Sequence, residues 1–389
     1  MTGARGFPAA EYRGRVARAQ AQMSESGLDA LLLTTEPDIR YFTGFLTRFW
    51  ESPTRPWFLV LPAGGDPVAV IPGIGAALMA ETWISDIRTW ASPDLSDDGV
   101  SLLAASLADM VSEGGRIGVP FGPETHLRMP LDAWRVLAEL LGDRDLTGDA
   151  GILRRLRMVK SPAEIAKIQA ACDVAGRAFD RVPEIACAGI PLSEVFRRFQ
   201  MLCLDEGADW VSYLAGGAGP GGYLDVIRPA TDAPLAVGDL LMLDTGAVLD
   251  GYFCDFDRNF SIGPPAAETE DAHARLIEAT AAGFNAARPG VTAADLFHAM
   301  DSVLTDGEAP EGAGRLGHGL GMQLTEWPSL MPADKTVLEA GMVLTLEPGL
   351  SLSGGRIMVH EENIVITETG AEWLTRPSPP EIVCLEGRA

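Results

Sequence analysis

The stretch DLLMLDTGAVLDGYFCDFDRNFSIG, residues 239–263, most strongly limits what this chain can fold into. Two apolar runs flank the dipeptide Asp250-Gly251, which is typical of β-hairpin turns because glycine accepts the positive φ angles that such turns need. A turn at these two residues pairs Leu249 with Tyr252 on antiparallel strands. The sequence therefore predicts a β-hairpin with an apolar body.

Acidic side chains lie on one face of this hairpin. Counting back from the turn places Asp244 opposite Asp257. Because side chains alternate between the two faces of a strand, Asp255 lies on the same face, one diagonal step from Asp244. Three carboxylates on an apolar hairpin repel one another, and burying them together requires a cation. The alternative is a solvated acidic face, as an acidic protein would carry.

The overall composition limits the class of protein. The 389 residues include 30 basic and 54 acidic ones, for a formal net charge of −24, and 47% are hydrophobic. This length allows two domains with their own cores. The negative charge argues against nucleic-acid partners and against anionic membrane surfaces. Five scattered cysteines without a CxxC motif indicate reduced, largely buried thiols. With no secretory leader and no membrane-spanning run expected, we predict a cytoplasmic protein.

Strand and helix patterns alternate over about the first 150 residues, which is typical of an α/β domain. Helices are predicted over residues 11–25, 100–113 and 131–141, and strands over residues 28–33, 57–61 and 67–71. Ser161-Pro162-Ala163-Glu164 has the pattern of a capping box and predicts a helix that runs toward Arg181. We therefore predict an α/β (α+β) chain with one domain over residues 1–154 and a second over residues 155–389.

The loop RFWESPTRPWF, residues 48–58, concentrates aromatic and basic side chains, among them Arg48, Trp50 and Trp57. One interpretation is that the aromatic rings pack against the neighbouring sheet. The other is that the loop reaches a ligand site and supplies Arg48 and Trp50 to it, since loops carry many binding residues and aromatic rings attract cations. The sequence leaves both open.

The second domain repeats itself weakly. GIPLSEVF, residues 189–196, resembles GVTAADLF, residues 290–297, and each combines a turn glycine, a helix cap and an apolar helix. Each is followed by a stretch rich in strands. Two related halves that offer carboxylates from paired strands predict a pseudo-symmetric domain with its site between the halves.

Candidate metal ligands come from separate segments. His318 lies in GHGLG, whose glycines allow close backbone approach to a site, Glu347 ends an apolar strand, and Glu361 enters another. Together with Asp244 and Asp255 they form a set of four carboxylates and one imidazole. Such a set suits Mn²⁺, Fe²⁺, Co²⁺ or Zn²⁺, and the number of carboxylates suits two ions. Two neighbouring ions can hold a hydroxide at neutral pH and polarise a carbonyl group.

The ordered motifs LDTG, CDFDRNF, GHGLG, LEPG and HEENIVIT resemble those of the pita-bread metallopeptidase family, which includes methionine aminopeptidase, aminopeptidase P and prolidase, together with creatinase. The resemblance covers most of the chain. It implies a creatinase-type N-terminal domain, a pita-bread catalytic domain and a homodimer. It also implies two divalent ions bound by Asp244, Asp255, His318, Glu347 and Glu361. Glu347 and His318 are the implied catalytic residues, with Glu347 handling protons for a bridging hydroxide.

The chain departs from the peptidase pattern at two histidines. Thr325 stands where peptidases carry a histidine before Glu-x-Pro, and Ile227 or Arg228 stands where they carry another. Those histidines steady the substrate amide, and such donors matter where negative charge develops. Arg228 and Arg258 are candidates to compensate for them.

Further candidates surround the proposed ligands. Asp257 stands where the family usually has Thr or Ser, and we expect it to tune Asp255 or the metal. Val359 and His360 stand where peptidases often have Arg and an apolar residue, so His360 is either a site residue or a structural one. Glu326 and Trp327 follow Thr325 and either line the substrate pocket or serve packing.

Three classes of function fit these features. The leading hypothesis is a dinuclear metal-dependent hydrolase that cleaves an amide-type C–N bond in a small substrate, as an Xaa-Pro dipeptidase or aminopeptidase does. The second is a non-peptidase enzyme that acts on a small polar or zwitterionic compound, similar to creatinase, ectoine hydrolase or dimethylsulfoniopropionate lyase. The third is a binding module without catalysis, which the five intact ligand positions disfavour.

Overall fold

The computed structural model describes residues 5–51, 55–305 and 314–385. The chain divides into two compact units, residues 1–157 and residues 158–389. We call them the N-terminal unit and the C-terminal unit and describe each separately. No helix among the residues described is long and apolar enough to cross a membrane.

The N-terminal unit alternates strands and helices. Its helices are α1 (Ala9–Ser26), α2 (Glu36–Thr43), α3 (Ala76–Met79), α4 (Val100–Met110), α5 (Leu131–Leu141) and α6 (Ile152–Met158), with 3₁₀ turns at Arg48–Glu51 and Gly73–Gly75. Its strands are β1 (Ala30–Leu33), β2 (Phe58–Pro62), β3 (Val68–Pro72), β4 (Asp86–Trp90), β5 (Arg116–Val119) and β6 (Asp145–Gly148).

These strands form one mixed sheet in the order β4-β3-β2-β1-β5-β6. Strand β1 pairs antiparallel with β2 and parallel with β5, so it lies inside the sheet, and all four of its residues are buried. The predicted helix over residues 131–141 is confirmed, and the other predicted helices and strands differ from those observed by a few residues at their ends. The sequence interpretation misses β4, β5 and β6, because β4 and β6 are only partly buried and lack a clear apolar pattern.

The C-terminal unit carries more strands than helices. Its helices are α7 (Pro162–Asp180), α8 (Leu192–Asp205), α9 (Ala267–Ala286) and α10 (Ala293–Leu304), with 3₁₀ turns at Val182–Glu184 and Ser353–Gly355. Its strands are β7 (Trp210–Pro220), β8 (Asp239–Leu249), β9 (Tyr252–Phe253), β10 (Phe256–Ile262), β11 (His318–Gly319), β12 (Glu326–Ser329), β13 (Val343–Leu346), β14 (Gly349–Ser351), β15 (Ile357–Val359), β16 (Glu362–Ile366), β17 (Ala371–Trp373) and β18 (Val383–Leu385).

Two sheets carry the candidate site. The first has the order β18-β10-β8-β7, with β9 paired to β8, and the second has the order β12-β11-β13-β16-β17. A buried apolar cluster includes residues of both sheets and of helices α9 and α10, with Met242, Leu276, Met300 and Leu344 among its members. The predicted division of ligands between two strand-rich halves thus corresponds to two sheets that share one core.

Helix starts in this unit agree in part with the sequence patterns. The capping box at Ser161 is confirmed, because its side chain accepts from the Glu164 amide and the Glu164 carboxylate accepts from the Ser161 amide. Thr292 forms the same box with Asp295 at the start of α10. The cap expected at the start of α8 is wrong in one respect: Pro191 holds that position and has no side-chain hydrogen bond to offer.

Candidate metal centre

The acidic hairpin forms as its sequence predicts. Asp250 and Gly251 have φ angles of 49° and 79°, as a type I′ turn requires, and Leu249 pairs with Tyr252. The same register continues along the strands and places Asp244 opposite Asp257. Asp255 stands between β9 and β10, where continuation of this register sets it opposite Gly246.

The second sheet supplies the other candidate ligands. His318 begins β11, Glu347 follows β13, and Glu361 stands between β15 and β16. A Cβ atom on Gly317 would lie 2.2 Å from the carbonyl oxygen of Thr345, and one on Gly319 would lie 2.0 Å from that of Trp327. The glycines beside His318 therefore allow close approach of neighbouring strands, which is how the fold holds the imidazole in place.

Three of the candidate ligands converge tightly. One ligand atom from each of Asp255, His318 and Glu361 lies within 4.8 Å of the others. Nε2 of His318 is 3.4 Å from Oδ2 of Asp255. All three side chains are buried. Asp244 and Glu347, which are partly exposed, lie close enough to raise the pKa of Asp255 electrostatically. The structure therefore brings Asp255, His318 and Glu361 within 4.8 Å of one another, and electrostatic interactions with Asp255 indicate that Asp244 and Glu347 lie nearby.

The cluster strongly perturbs its own acid–base behaviour. Burial is the largest cause, and the neighbouring carboxylates add to it, so the pKa values of Asp244, Asp255 and Glu361 lie well above their ordinary range. The pKa of Glu347 is raised to about 7, mainly by burial, although Arg315 opposes the shift. Burial lowers the pKa of His318 to about 4, so its imidazole is neutral at pH 7.

These residues fit a divalent metal site. Oδ1 of Asp244 and Oε1 of Glu361 are buried and have no hydrogen-bond partner among the described residues. Nδ1 of His318 lies 2.9 Å from the carbonyl oxygen of Gly319, which places the proton on Nδ1 and turns the lone pair of Nε2 toward Asp255. Lone pairs that face each other across 3.4 Å in a buried site are repulsive unless a proton or a metal cation lies between them. The donor set thus favours a bound divalent ion.

Asp257 and His360 belong to a buried charge network beside the cluster. Oδ1 of Asp257 accepts the backbone N–H of Glu361 at 3.0 Å and lies 3.3 Å from Nδ1 of His360. Nε2 of His360 is 3.2 Å from Glu362, which Arg258 also contacts at 3.0 Å. Burial alone would lower the pKa of His360, but the contacts with Asp257 and Glu362 outweigh it and raise this pKa. Asp257 therefore orients the backbone of Glu361, another candidate ligand, rather than contacting Asp255.

Asn363 is a supporting residue that the sequence interpretation misses. Its side-chain oxygen accepts the backbone N–H of Asp255 at 3.0 Å, and its side-chain N–H₂ donates to the Asp255 carbonyl. Asn363 is fully buried on β16 and so connects the second sheet to the first. The signal was the Asn of HEEN, one residue beyond the two glutamates, but an asparagine inside an apolar strand has no distinctive meaning without the contact.

Tyr213 is the second residue that the sequence interpretation misses. A β-bulge between Val211 and Tyr213 shifts the register of β7, so that Tyr213 faces Gly246 on the surface that carries Asp244. Burial and the charges of Asp244 and Asp255 raise the pKa of this half-buried tyrosine well above its usual range. Its hydroxyl group is therefore a neutral donor beside the cluster. No sequence pattern predicts a bulge of this kind.

The residues after His318 have different surroundings. Thr325 is partly exposed and accepts a hydrogen bond from Nη2 of Arg315 at 3.3 Å. Glu326 is buried, pairs with Lys160 at 3.1 Å and accepts the backbone N–H groups of Met322 and Gln323. These contacts indicate that Glu326 holds the loop before β12.

Trp327 is partly buried and packs against the apolar cluster of the C-terminal unit. The fold therefore uses Trp327 for packing.

The two candidate arginines, Arg228 and Arg258, differ in their contacts. Arg258 donates to the carbonyl oxygens of Asp257 and Arg376 as well as to Glu362, so its donors serve the interior of the unit. The side chain of Arg228 is 64% exposed and lies 3.6 Å from Asp225. Nη1 of Arg258 also donates to the backbone carbonyl oxygen of Glu361 at 3.3 Å, so Arg258 supports the backbone of one metal-ligand candidate, whereas the contact of Arg228 is with Asp225.

Arg48 and Trp50 belong to the N-terminal unit. Arg48 is exposed in a 3₁₀ turn. The ring of Trp50 packs 5.4 Å from that of the buried Trp57, and Arg128 lies over it at 5.0 Å. These contacts support the packing interpretation for the aromatic rings. Residues 52–54 of this loop lie outside the described residues.

Comparison with known proteins identifies the family. The sequence model of metallopeptidase family M24 matches residues 166–368, and that of the creatinase/prolidase N-terminal domain matches residues 15–159. The chain belongs to metallopeptidase family M24. This M24 protein is 32% identical over 375 residues to a probable dipeptidase PepE of Mycobacterium tuberculosis, with 95% of this chain and 96% of that one covered. It is 26% identical to an Xaa-Pro dipeptidase of Pyrococcus horikoshii, over 91% of this chain and 94% of that one.

Solved structures give the same fold. The dipeptidase PepE of Mycobacterium ulcerans is similar with a TM-score of 0.84 and 31% identity, over 98% of this chain and 99% of that one. A prolidase of Thermococcus sibiricus is similar with a TM-score of 0.86 and 24% identity, over 98% and 100% of the two chains. The prediction of a creatinase-type N-terminal domain followed by a pita-bread catalytic domain is confirmed. Membership in the family makes the protein a metal-dependent hydrolase of C–N bonds and implies divalent metal ions.

Proposed function

We propose that this M24 protein is a dipeptidase that hydrolyses the amide bond of Xaa-Pro dipeptides and related small peptides. The observation that carries the proposal is the buried convergence of Asp255, His318 and Glu361 beside Asp244 and Glu347. Relatives named dipeptidase and Xaa-Pro dipeptidase, which match almost the whole chain, support the choice of substrate. We further propose that the five residues hold two divalent ions, of Mn, Fe, Co or Zn.

Bound divalent ions would polarise the substrate carbonyl and make water more acidic. We assign proton transfer to Glu347, because its carboxylate stands among the ligand candidates and can accept a proton from the attacking water and return it to the leaving nitrogen. Asp257 and Asn363 hold the backbones of Glu361 and Asp255, so the carboxylates keep their orientation during turnover.

Tyr213 replaces part of the donor set that the missing histidines would supply. Its neutral hydroxyl group stands on the face of Asp244 and has no protein hydrogen-bond partner among the described residues, so it can donate to a substrate oxygen as negative charge develops there. We assign this part to Tyr213 because Arg228 and Arg258 have other partners.

We expect the exchange Tyr213→Phe to lower kcat for an Xaa-Pro dipeptide by about 10- to 100-fold, with KM nearly unchanged, because a donor aimed at developing charge acts mainly in the transition state. Steady-state kinetics and metal content of the purified variant measure both effects. Ser212→Ala, at the exposed bulge residue of the same strand, is the matched control. Unchanged kcat in Tyr213→Phe would remove Tyr213 from the mechanism.

The proposed function is tested by metal content and substrate turnover together. Protein purified without added metal or chelator is expected to hold close to two transition-metal ions per chain, and to release proline from Xaa-Pro dipeptides until a chelator removes the ions. The same preparation is offered creatine, ectoine derivatives and sulfonium compounds. Absence of bound metal, together with activity that a chelator leaves unchanged, contradicts the proposal.

A non-peptide substrate is the second candidate. Thr325 at a position where peptidases carry a histidine favours it, because Thr325 offers a weaker donor at that point. Turnover of a small zwitterion without any turnover of dipeptides would establish this candidate in place of the first.

We also propose that the protein is a cytoplasmic homodimer. The family resemblance supports the dimer, and the burial of Cys172, Cys203 and Cys254 supports a reducing compartment, where buried thiols stay free. Light scattering after size-exclusion chromatography measures the mass in solution, for which we expect twice the chain mass of 41.3 kDa.

A further inference from the structure

Two side chains of strand β10 hold the segment that leads into Glu361. Asn259 lies two residues after Asp257 on this strand, so both side chains leave it on the same face. Oδ1 of Asp257 accepts the backbone N–H of Glu361 at 3.0 Å, and Nδ2 of Asn259 donates to the backbone carbonyl oxygen of Val359 at 2.7 Å. Residues two apart on β10 thus bind residues two apart on the segment from Val359 to Glu361.

Tyr223 holds the same segment from the other end of Val359. Its hydroxyl oxygen accepts the backbone N–H of Val359 at 2.7 Å and lies 3.4 Å from Oδ1 of Asn259. The backbone N–H and carbonyl of Tyr223 pair with Ile357 at 3.3 and 2.7 Å, which fixes the tyrosine beside β15. Tyr223 and Asn259 are only 2% and 4% exposed. A backbone group that loses such a partner in the interior is left unsatisfied, so these bonds constrain the segment strongly.

The segment held in this way connects two metal-ligand candidates. The backbone N–H of His360 donates at 3.1 Å to the carbonyl oxygen of Pro348, the residue after Glu347. Only His360 separates Val359 from Glu361, so a shift of the backbone at Val359 is passed on to the ligand. Oε1 of Glu361 is buried and accepts no hydrogen bond from the described residues. The direction of this carboxylate therefore depends on the backbone that carries it.

We propose that Tyr223 and Asn259 are positioning residues that set the geometry of the metal centre through the backbone of Glu361. Neither residue is a ligand or contacts the reacting atoms in this assignment. Groups that orient a metal ligand are worth about 10- to 100-fold in metal affinity, because the ligand then needs no reordering when the ion binds. The proposal rests on the metal centre of the proposed function but not on the identity of its substrate.

Tyr223→Phe removes the acceptor of the Val359 N–H and keeps the aromatic ring. We expect the dissociation constant of the bound metal, measured by competition with a chelator, to rise about 3- to 10-fold, which is less than for a group that touches a ligand directly. The absorption bands of the Co²⁺-loaded variant are expected to shift, because they depend on the coordination geometry.

Tyr252→Phe is the matched control. Tyr252 is 2% exposed, like Tyr223, and its hydroxyl group donates to Glu164 at 3.0 Å. The exchange removes the same group at the same burial, so it is expected to lower Tm while metal affinity and the Co²⁺ spectrum stay as in the wild type.

A second variant tests whether the two positioning residues act together. Asn259→Leu removes the donor to the Val359 carbonyl and nearly keeps the side-chain volume, and we expect it to weaken metal binding about 3- to 10-fold as well. The double variant is expected to bind metal less weakly than the product of the two single effects predicts, because both residues act on one backbone segment. Asn259→Leu by itself decides the proposal by the same two readouts if Tyr223→Phe does not fold.

Metal binding keeps this proposal separate from the proposed substrate. A wild type that binds metal but cleaves no dipeptide, together with the weakened variants, contradicts the proposed function and supports the positioning role. The proposal is overturned if Tyr223→Phe changes metal affinity and the Co²⁺ spectrum no more than Tyr252→Phe does, if the two single effects multiply in full, or if the wild type binds no metal.

Discussion

Exchange of Asp255 for asparagine is expected to lower dipeptide hydrolysis by more than about 100-fold, because even changes to groups that only support a metal ligand cost 10- to 100-fold. Asp255 is the carboxylate nearest to His318, and Asn363 holds its backbone from both sides. The variant should therefore lose its bound metal and keep its fold. Metal content per chain and kcat/KM measure the two effects.

The same variant should show the opposite effect on stability. Without metal, Asp255 is a buried carboxylate among other carboxylates, so its neutral replacement is expected to raise the Tm of chelator-treated protein. Asp271→Asn, at an exposed acid of α9, is the control for both measurements. A variant that kept full metal content and full activity would show that Asp255 is not a ligand.

The stability of the metal-free protein is expected to fall as pH rises. The pKa values of Asp244, Asp255 and Glu361 are raised well above normal, and that of Glu347 to about 7, mainly by burial. The folded protein thus binds these protons more tightly than the unfolded chain, whose carboxyl groups titrate near pH 4. Their contribution is complete below about pH 4 and is lost as pH rises through the raised values.

Thermal unfolding of chelator-treated protein between pH 5 and pH 8 measures this loss, and we expect Tm to fall by more than about 5 °C, since about 2–4 °C corresponds to 1 kcal/mol in a domain of this size. Added divalent ions should restore Tm at pH 8, because they bind only the folded state. Asp255→Asn is expected to flatten the profile, and Glu372→Gln, at an exposed residue of β17, to leave it unchanged. A Tm that is constant or rises over this range would contradict the raised pKa values.

The charge network around His360 shows which part of a side chain's surroundings follows from local sequence and which part follows from tertiary contacts. From the sequence, His360 is either a site residue or a structural one. In the structure its two ring nitrogens lie 3.3 Å from Asp257 and 3.2 Å from Glu362. Alternation along one strand predicts the face of a side chain, but the partner on that face comes from another strand.

The sequence by itself determined the acidic hairpin and the family. A two-residue turn leaves one register possible, so Asp244 and Asp257 face each other for reasons that are local in the chain. The capping box at Ser161 is equally local.

Only the tertiary structure decided how the two sheets meet. Asn363 reaches Asp255 over 108 positions in the chain, and the bulge in β7 places Tyr213 opposite Gly246. These contacts depend on the packing of distant segments against each other, which turn chemistry and strand alternation do not encode.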